Sequence, residues 1–158
     1  MKNLHTTTSA TLPERPVTGE PVTGFAPEPL EVNVIFTDPV ATAAALKRAE
    51  SFARDLGACI RLRAGIVVPM TLPLDQPPVS VRFTEEILSN IVDVLEQDVF
   101  QATVHLYICR DWAGTLLQVL TPNSLVVIGG RKHWWPTPAS RICRILRAKD
   151  HRVVFADL

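Results

Sequence analysis

Four short segments of this 158-residue chain carry the residue types that could do chemistry: Thr37-Asp38, Val67-Val68-Pro69, Cys109-Arg110-Asp111 and Gly129-Gly130-Arg131. Asp38 places a carboxylate ahead of Pro39, where it can cap a helix, touch a ligand, or do both. Paired glycines let a backbone approach a phosphate closely, and a helix that follows adds N–H donors and partial positive charge. Arg131 and Lys132 could hold the same anion by side-chain charge. This is the chemistry of binding rather than of catalysis. The chain has no G-x-S-x-G elbow, no G-x-x-x-x-G-K-[ST] phosphate loop and no G-x-G-x-x-G turn. The H-x-G-H and S-G-G-x-[DS] signatures of carboxylate-activating α/β enzymes are also absent. His5, His105, His133 and His151 are scattered, and His133 alone falls beside these segments. We therefore expect a protein that is not an enzyme.

Cys59, Cys109 and Cys143 are odd in number, widely spaced and without a C-x-x-C pair, which argues against a zinc site and for buried, reduced thiols. Arg110 follows Cys109 and could lower its thiol pKa. Formal charge is zero but uneven. Residues 1–130 hold nine Lys/Arg against 14 Asp/Glu, a balance of −5; residues 131–158 hold seven against two, a balance of +5. The basic end reads either as a solvated helix face or as an anion-binding one. No nucleic-acid reader motif accompanies it, so nucleic acid is not the expected partner.

The elements that must position these residues begin after a Pro- and Thr-rich stretch. Residues 1–29 hold five of the 13 prolines and a near-repeat, Pro16-Val-Thr-Gly-Glu20 then Pro21-Val-Thr-Gly-Phe25. We expect a disordered leader there, serving as a flexible tail or a docking segment, and a single domain over 30–158. No apolar run approaches the ~18 residues of a membrane span, and no secretion signal is evident, so a cytoplasmic protein is expected.

From Val32 the pattern alternates. Val32–Thr37 reads as a strand, and Asp38-Pro39 opens a helix whose Ala45, Leu46, Ala49, Phe52, Ala53 and Leu56 recur at helical spacing until Gly57. Cys59–Val68 is the second strand; Arg61 and Arg63 share one face, which predicts a wet end. After a proline-rich loop, Phe83, Ile87, Leu88, Ile91, Val94 and Leu95 mark a second helix. Ala102–Cys109 alternates apolar and polar residues, as an edge strand does. A short helix over Trp112–Leu120, an apolar strand over Ser124–Ile128, a helix opened by Thr137-Pro138 and a strand over Arg152–Ala156 complete the order β-α-β-α-β-α-β-α-β. Strict alternation predicts a parallel sheet with helices on both faces. Ligands of such sheets sit beyond the carboxyl ends of the strands, where the strand order reverses, and all four segments named at the outset lie at that rim.

Three stretches resemble one family. Val34-Ile-Phe-Thr-Asp38 with Ala45-Leu46 and Ala49 through Gly57-Ala58 is similar to the first βα unit of the universal stress proteins. Ser124-Leu-Val-Val-Ile-Gly-Gly130 resembles that family's fourth strand and glycine turn; Ser140–Arg147 with His151–Phe155 resembles its last helix and strand. The resemblance implies a three-layer α/β/α fold of the adenine nucleotide alpha hydrolase-like class, with a five-stranded parallel sheet in the order 3-2-1-4-5. It also implies a stress-response role and an ATP pocket between the first and fourth strands. Asp38 and Val68 match the positions that hold the nucleoside; Gly129 matches the first glycine of the phosphate motif G-x2-G-x9-G-[ST], and Ser140 its last hydroxyl. Thr37, Gly130, Arg131 and Lys132 complete the expected nucleotide-binding set. The motif's second glycine falls on Lys132 and its third is Ala139, and the loop is three residues short, with His133-Trp134-Trp135-Pro136 in it. Trp134 and Trp135 could pack the loop down, stack a base or plug the pocket. Two roles stay open: a non-enzymatic regulatory module acting on protein partners, and an ATP/ADP sensor with ATP as its cofactor.

The last strand, with Val153, Val154 and Phe155, is apolar and would leave an exposed edge in a monomer. The resemblance implies dimers, often through this strand, and we expect an isologous homodimer with these three residues at its interface.

Overall fold

The computed structural model describes residues 6–8, 30–93, 101–131 and 137–157. Among the described residues, six strands form one sheet: β1 (Thr6–Thr8), β2 (Glu31–Ile35), β3 (Cys59–Val67), β4 (Ala102–Cys109), β5 (Leu125–Gly130) and β6 (Arg152–Asp157). Four helices alternate with the last five strands: α1 (Pro39–Leu56), α2 (Val81–Val92), α3 (Trp112–Val119) and α4 (Pro138–Arg147). The sheet order is β1-β4-β3-β2-β5-β6, and every pairing is parallel. The five strands from Glu31 onward thus take the expected order 3-2-1-4-5. Within the stretch expected as a leader, Thr6–Thr8 pairs with Val104–Leu106 along the outer side of β4. Three consecutive β-branched residues, ahead of the first proline at Pro13, suit that edge.

Two opposite chain progressions explain the layers. From β2 the chain moves outward one way through β3 to β4, then crosses to β5 and β6 on the other side. Right-handed crossovers then put α1 and α2 on one face and α3 and α4 on the other. The cores agree. Leu46, Ala49 and Ala53 of α1 and Leu88 and Ile91 of α2 pack on Val32, Val34, Leu62 and Val127. Leu116 of α3 and Cys143 and Leu146 of α4 pack on Ile35, Val126 and Ile128.

Local chemistry sets the helix ends. Asp38 Oδ1 accepts the Ala41 N–H at 2.9 Å, Pro39 occupies the first turn, and Gly57 closes α1 at φ 62°. Ser80 caps α2, and Asp111 caps α3. Phe83, expected on the inward face of α2, is instead 57% exposed, while Leu88, Ile91 and Val92 bury. Val94 and Leu95 lie outside the described residues.

Candidate functional site

The order reverses between β2 and β5, so the connections that leave their carboxyl ends run to α1 on one face and α4 on the other and open a crevice between them. Thr37 bridges it: its hydroxyl donates to the Gly129 carbonyl at 3.1 Å, and its N–H donates to Thr42 Oγ1 at 3.2 Å. Above this tie lies a half-open cavity of about 620 Å³. Thr37, Asp38, Gly129, Gly130 and Arg131 line it together, with Phe36, Val40, Trp112 and Ile142 as its apolar wall. Five of the eight expected nucleotide-binding residues therefore meet in one place.

Two others do not join them. Val68 is 1% exposed; its N–H donates to the Cys109 carbonyl at 2.8 Å, and its carbonyl accepts from Arg110 at 3.1 Å. Its backbone is committed to the sheet edge. Ser140 is committed to a capping box: it accepts the Thr137 N–H at 2.9 Å and returns its own N–H to Thr137 Oγ1 at 3.2 Å. The eighth, Lys132, lies outside the described residues, as do His133, Trp134 and Trp135.

The glycines serve packing rather than a tight turn. Both are strand residues of β5, and neither has positive φ. A Cβ on Gly129 would stand 1.8 Å from the Ala41 carbonyl oxygen, so this position lets the first turn of α1 close onto β5. A Cβ on Gly130 would meet the Phe155 ring at 2.8 Å. One residue pair escaped the sequence reading. The Trp112 indole lies on Gly65, where an added Cβ would come within 2.5 Å of the ring, and Trp112 also packs against Tyr107 at 5.9 Å between centroids. A lone glycine inside a strand signals such an approach, but its partner arrives from a later helix.

The expected wet end of β3 is half wet. Arg61 is partly exposed and pairs with Glu31. Arg63 is only 4% exposed: its Nε donates to Asn33 Oδ1 at 2.7 Å, and an Nη donates to the Tyr107 hydroxyl at 2.6 Å. The two neutral oxygens come from the strands on either side and satisfy a buried guanidinium without a carboxylate. His105 is the register partner of Arg63 on β4, and its pKa falls from 6.5 to about 4 through burial first, then through the charges of Arg63 and Arg61. The thiol expectation for Cys109 reverses. Burial pushes Cys109 up, and the Asp111 charge adds to that, while Arg110 turns to the carbonyls of Val68 and Pro69. Burial also raises Cys143. Among the described residues, no group of three or more His, Cys, Asp or Glu could hold a metal ion, and no helix is long and apolar enough to cross a membrane.

At the far edge, Val153, Val154 and Phe155 are half-buried. Val154 packs into the α1 side of the sheet, whereas Val153 and Phe155 pack into the α4 side. The Arg152 N–H donates inward to the Ser124 carbonyl at 2.9 Å. By strand alternation, the backbone groups of Val153 and Phe155 then face outward. One of them, the Val153 carbonyl, accepts from Arg147 at 3.2 Å.

A doubly wound parallel α/β domain with a cavity at its switch point is the class that fold and site define. The fold is that of the universal stress proteins. A universal stress protein from Archaeoglobus fulgidus superposes with a TM-score of 0.58 at 16% identity, covering 80% of this chain and 92% of that one. A universal stress protein in complex with cAMP superposes with a TM-score of 0.51 at 14% identity, covering 82% and 97%. No family profile matches the sequence, and a search of curated proteins finds no match.

Proposed function

We propose that this chain is a non-enzymatic, cytoplasmic regulatory module of universal stress type, acting through self-association and a protein partner. One observation carries this reading: the polar groups at the switch-point rim are spent on holding the fold. Asp38 caps α1, Thr37 ties β2 to β5, Thr137 and Ser140 cap α4, and the Val68 backbone bonds to Cys109 and Arg110. The titratable side chains described in the cavity wall are Asp38 and Arg131, one acid and one permanent cation. That pair offers no nucleophile with a neighbouring base. Phosphate release from Mg-ATP, compared between the native chain and Asp38→Ala, tests the non-enzymatic part; a rate above background in the native chain alone would refute it.

Self-association is proposed along β6. A strand that pairs with its own copy about a two-fold axis runs antiparallel to it, through its outward N–H and C=O groups. Val153 and Phe155 supply such groups, and their side chains continue the apolar layer beside them.

A second reading is favoured by the cavity itself. About 620 Å³ is room for a nucleotide by the usual range of ligand pockets, and a structural neighbour was solved with cAMP. In this reading the domain is an adenine-nucleotide sensor. Thr37, Asp38, Gly129, Gly130 and Arg131 meet ATP or a related nucleotide, and the ligand biases partner choice. Lys132 and Ser140 belong to the same proposal as phosphate contacts, and Val68 as a nucleoside contact.

A further inference from the structure

Beyond the switch-point cavity, across Trp112, a second hollow of about 790 Å³ opens between α3 and α4. Its floor is apolar: Val67, Trp112 and Ile145. Val67, the last residue of β3, is 48% exposed. The rim is cationic. Arg141 and Arg144 stand three residues apart on one side of α4, both exposed, and among the described residues no carboxylate pairs with either. Arg110 fixes the opposite wall by donating to the carbonyls of Val68 and Pro69. The acid of the lining, Asp111, is engaged in capping α3 through the Ala113 N–H at 3.1 Å. The indole is immobilised from behind by Gly65 and Tyr107, so it presents a fixed aromatic surface to the hollow.

We propose that this cleft is a second ligand site, for an amphipathic anion with a flat apolar body, of the aromatic carboxylate or sulfonate class. The body lies on Val67, Trp112 and Ile145, and the anionic group meets Arg141 and Arg144 by charge-assisted hydrogen bonds. Arg141 and Arg144 thereby put part of the C-terminal segment's basic surplus to use, as Arg131 does at the switch-point cavity. The cleft shares Trp112, Thr137, Pro138 and Ile142 with the switch-point cavity, whereas Val67, Arg141, Arg144 and Ile145 line the cleft and not that cavity.

The test is a fluorescence titration of the full chain with 8-anilinonaphthalene-1-sulfonate, beside its uncharged relative N-phenyl-1-naphthylamine. We expect saturable binding of the sulfonate at one site, and about tenfold weaker binding of the neutral probe, since one charge-assisted contact is worth a factor of that order. Arg141→Glu combined with Arg144→Glu, on exposed positions, should weaken the sulfonate about tenfold or more while circular dichroism and melting stay native. The paired Arg→Lys variant should retain binding within a few-fold, and Asp38→Ala should leave it unchanged. Equal affinity for the two probes, an unchanged titration in the double Glu variant, or loss of binding in Asp38→Ala would each overturn the proposal.

Discussion

The Thr37 hydroxyl donates to the Gly129 carbonyl across 3.1 Å, extending the pairing of β2 with β5 into the segment that leads to α1. Gly129 is also where the first turn of α1 closes onto β5, with the Ala41 carbonyl in the space a side chain would need. Gly129→Ala should therefore destabilise the domain by about 1–3 kcal/mol or more, because backbone rather than a mobile side chain must yield. Gly130→Ala should cost less, since the Phe155 ring can turn away. Denaturant melts of both variants check the order.

Arg63 makes the opposite kind of prediction. Asn33→Leu or Tyr107→Phe would each leave part of a buried guanidinium unpaired, at a cost of about 1.5–3 kcal/mol. Arg63→Met removes the charge together with its needs and should cost less than either, as buried ionic groups often do when replaced by apolar ones. Urea unfolding of the three variants decides it.

Acid should weaken the fold through His105. Its folded pKa is about 4 against an ordinary 6.5, so the unfolded chain takes up a proton that the folded one refuses. Stability is then full above pH 6.5 and is lost as pH falls from 6.5 toward 4. The loss is about 1–2 kcal/mol, reduced from the full shift because the half-buried imidazole is partly screened by solvent. His105→Gln should flatten the stability profile in that window, read from unfolding midpoints at successive pH values.

Much of the architecture is legible in the sequence because it is written locally. Asp38-Pro39 and Gly57 bound α1 by cap chemistry, and the alternation of β4 places it at the edge of the five-stranded set. What escaped is written across strands. Arg63 is buried because Asn33 and Tyr107 reach it diagonally from the flanking strands, each two residues from its register partners Ile35 and His105, and such cross-strand neighbours do not follow from spacing along one strand. Gly129 and Gly130 resemble a phosphate turn but serve close packing, and the same residue type suits both because each needs only the absence of a Cβ. The capping box likewise takes the Ser140 hydroxyl that the family motif assigns to a ligand. The Trp112–Gly65 contact joins two elements that no local pattern connects.

Nucleotide is the test of the second functional reading. With the Val68 backbone and Ser140 committed elsewhere, millimolar Mg-ATP should move the thermal midpoint by no more than about 1 °C, as expected for a ligand well below its dissociation constant. Ligand at 100 times its dissociation constant would add about 2.7 kcal/mol, a rise of about 5–11 °C at this size. A rise of that order, diminished in Asp38→Ala, would make the sensor reading the better one.

The central claim is that the module works as a dimer built on β6, and its most direct measurement is mass in solution by light scattering. The chain weighs 17.4 kDa, and the native protein should elute with twice that mass at micromolar concentration. Val153→Pro removes an outward N–H while sparing the inward ladder to β5, a position where an edge strand tolerates proline. It should give the mass of a single chain with an undisturbed circular dichroism spectrum. A native protein of single-chain mass, or a Val153→Pro variant that remains dimeric, would contradict the account.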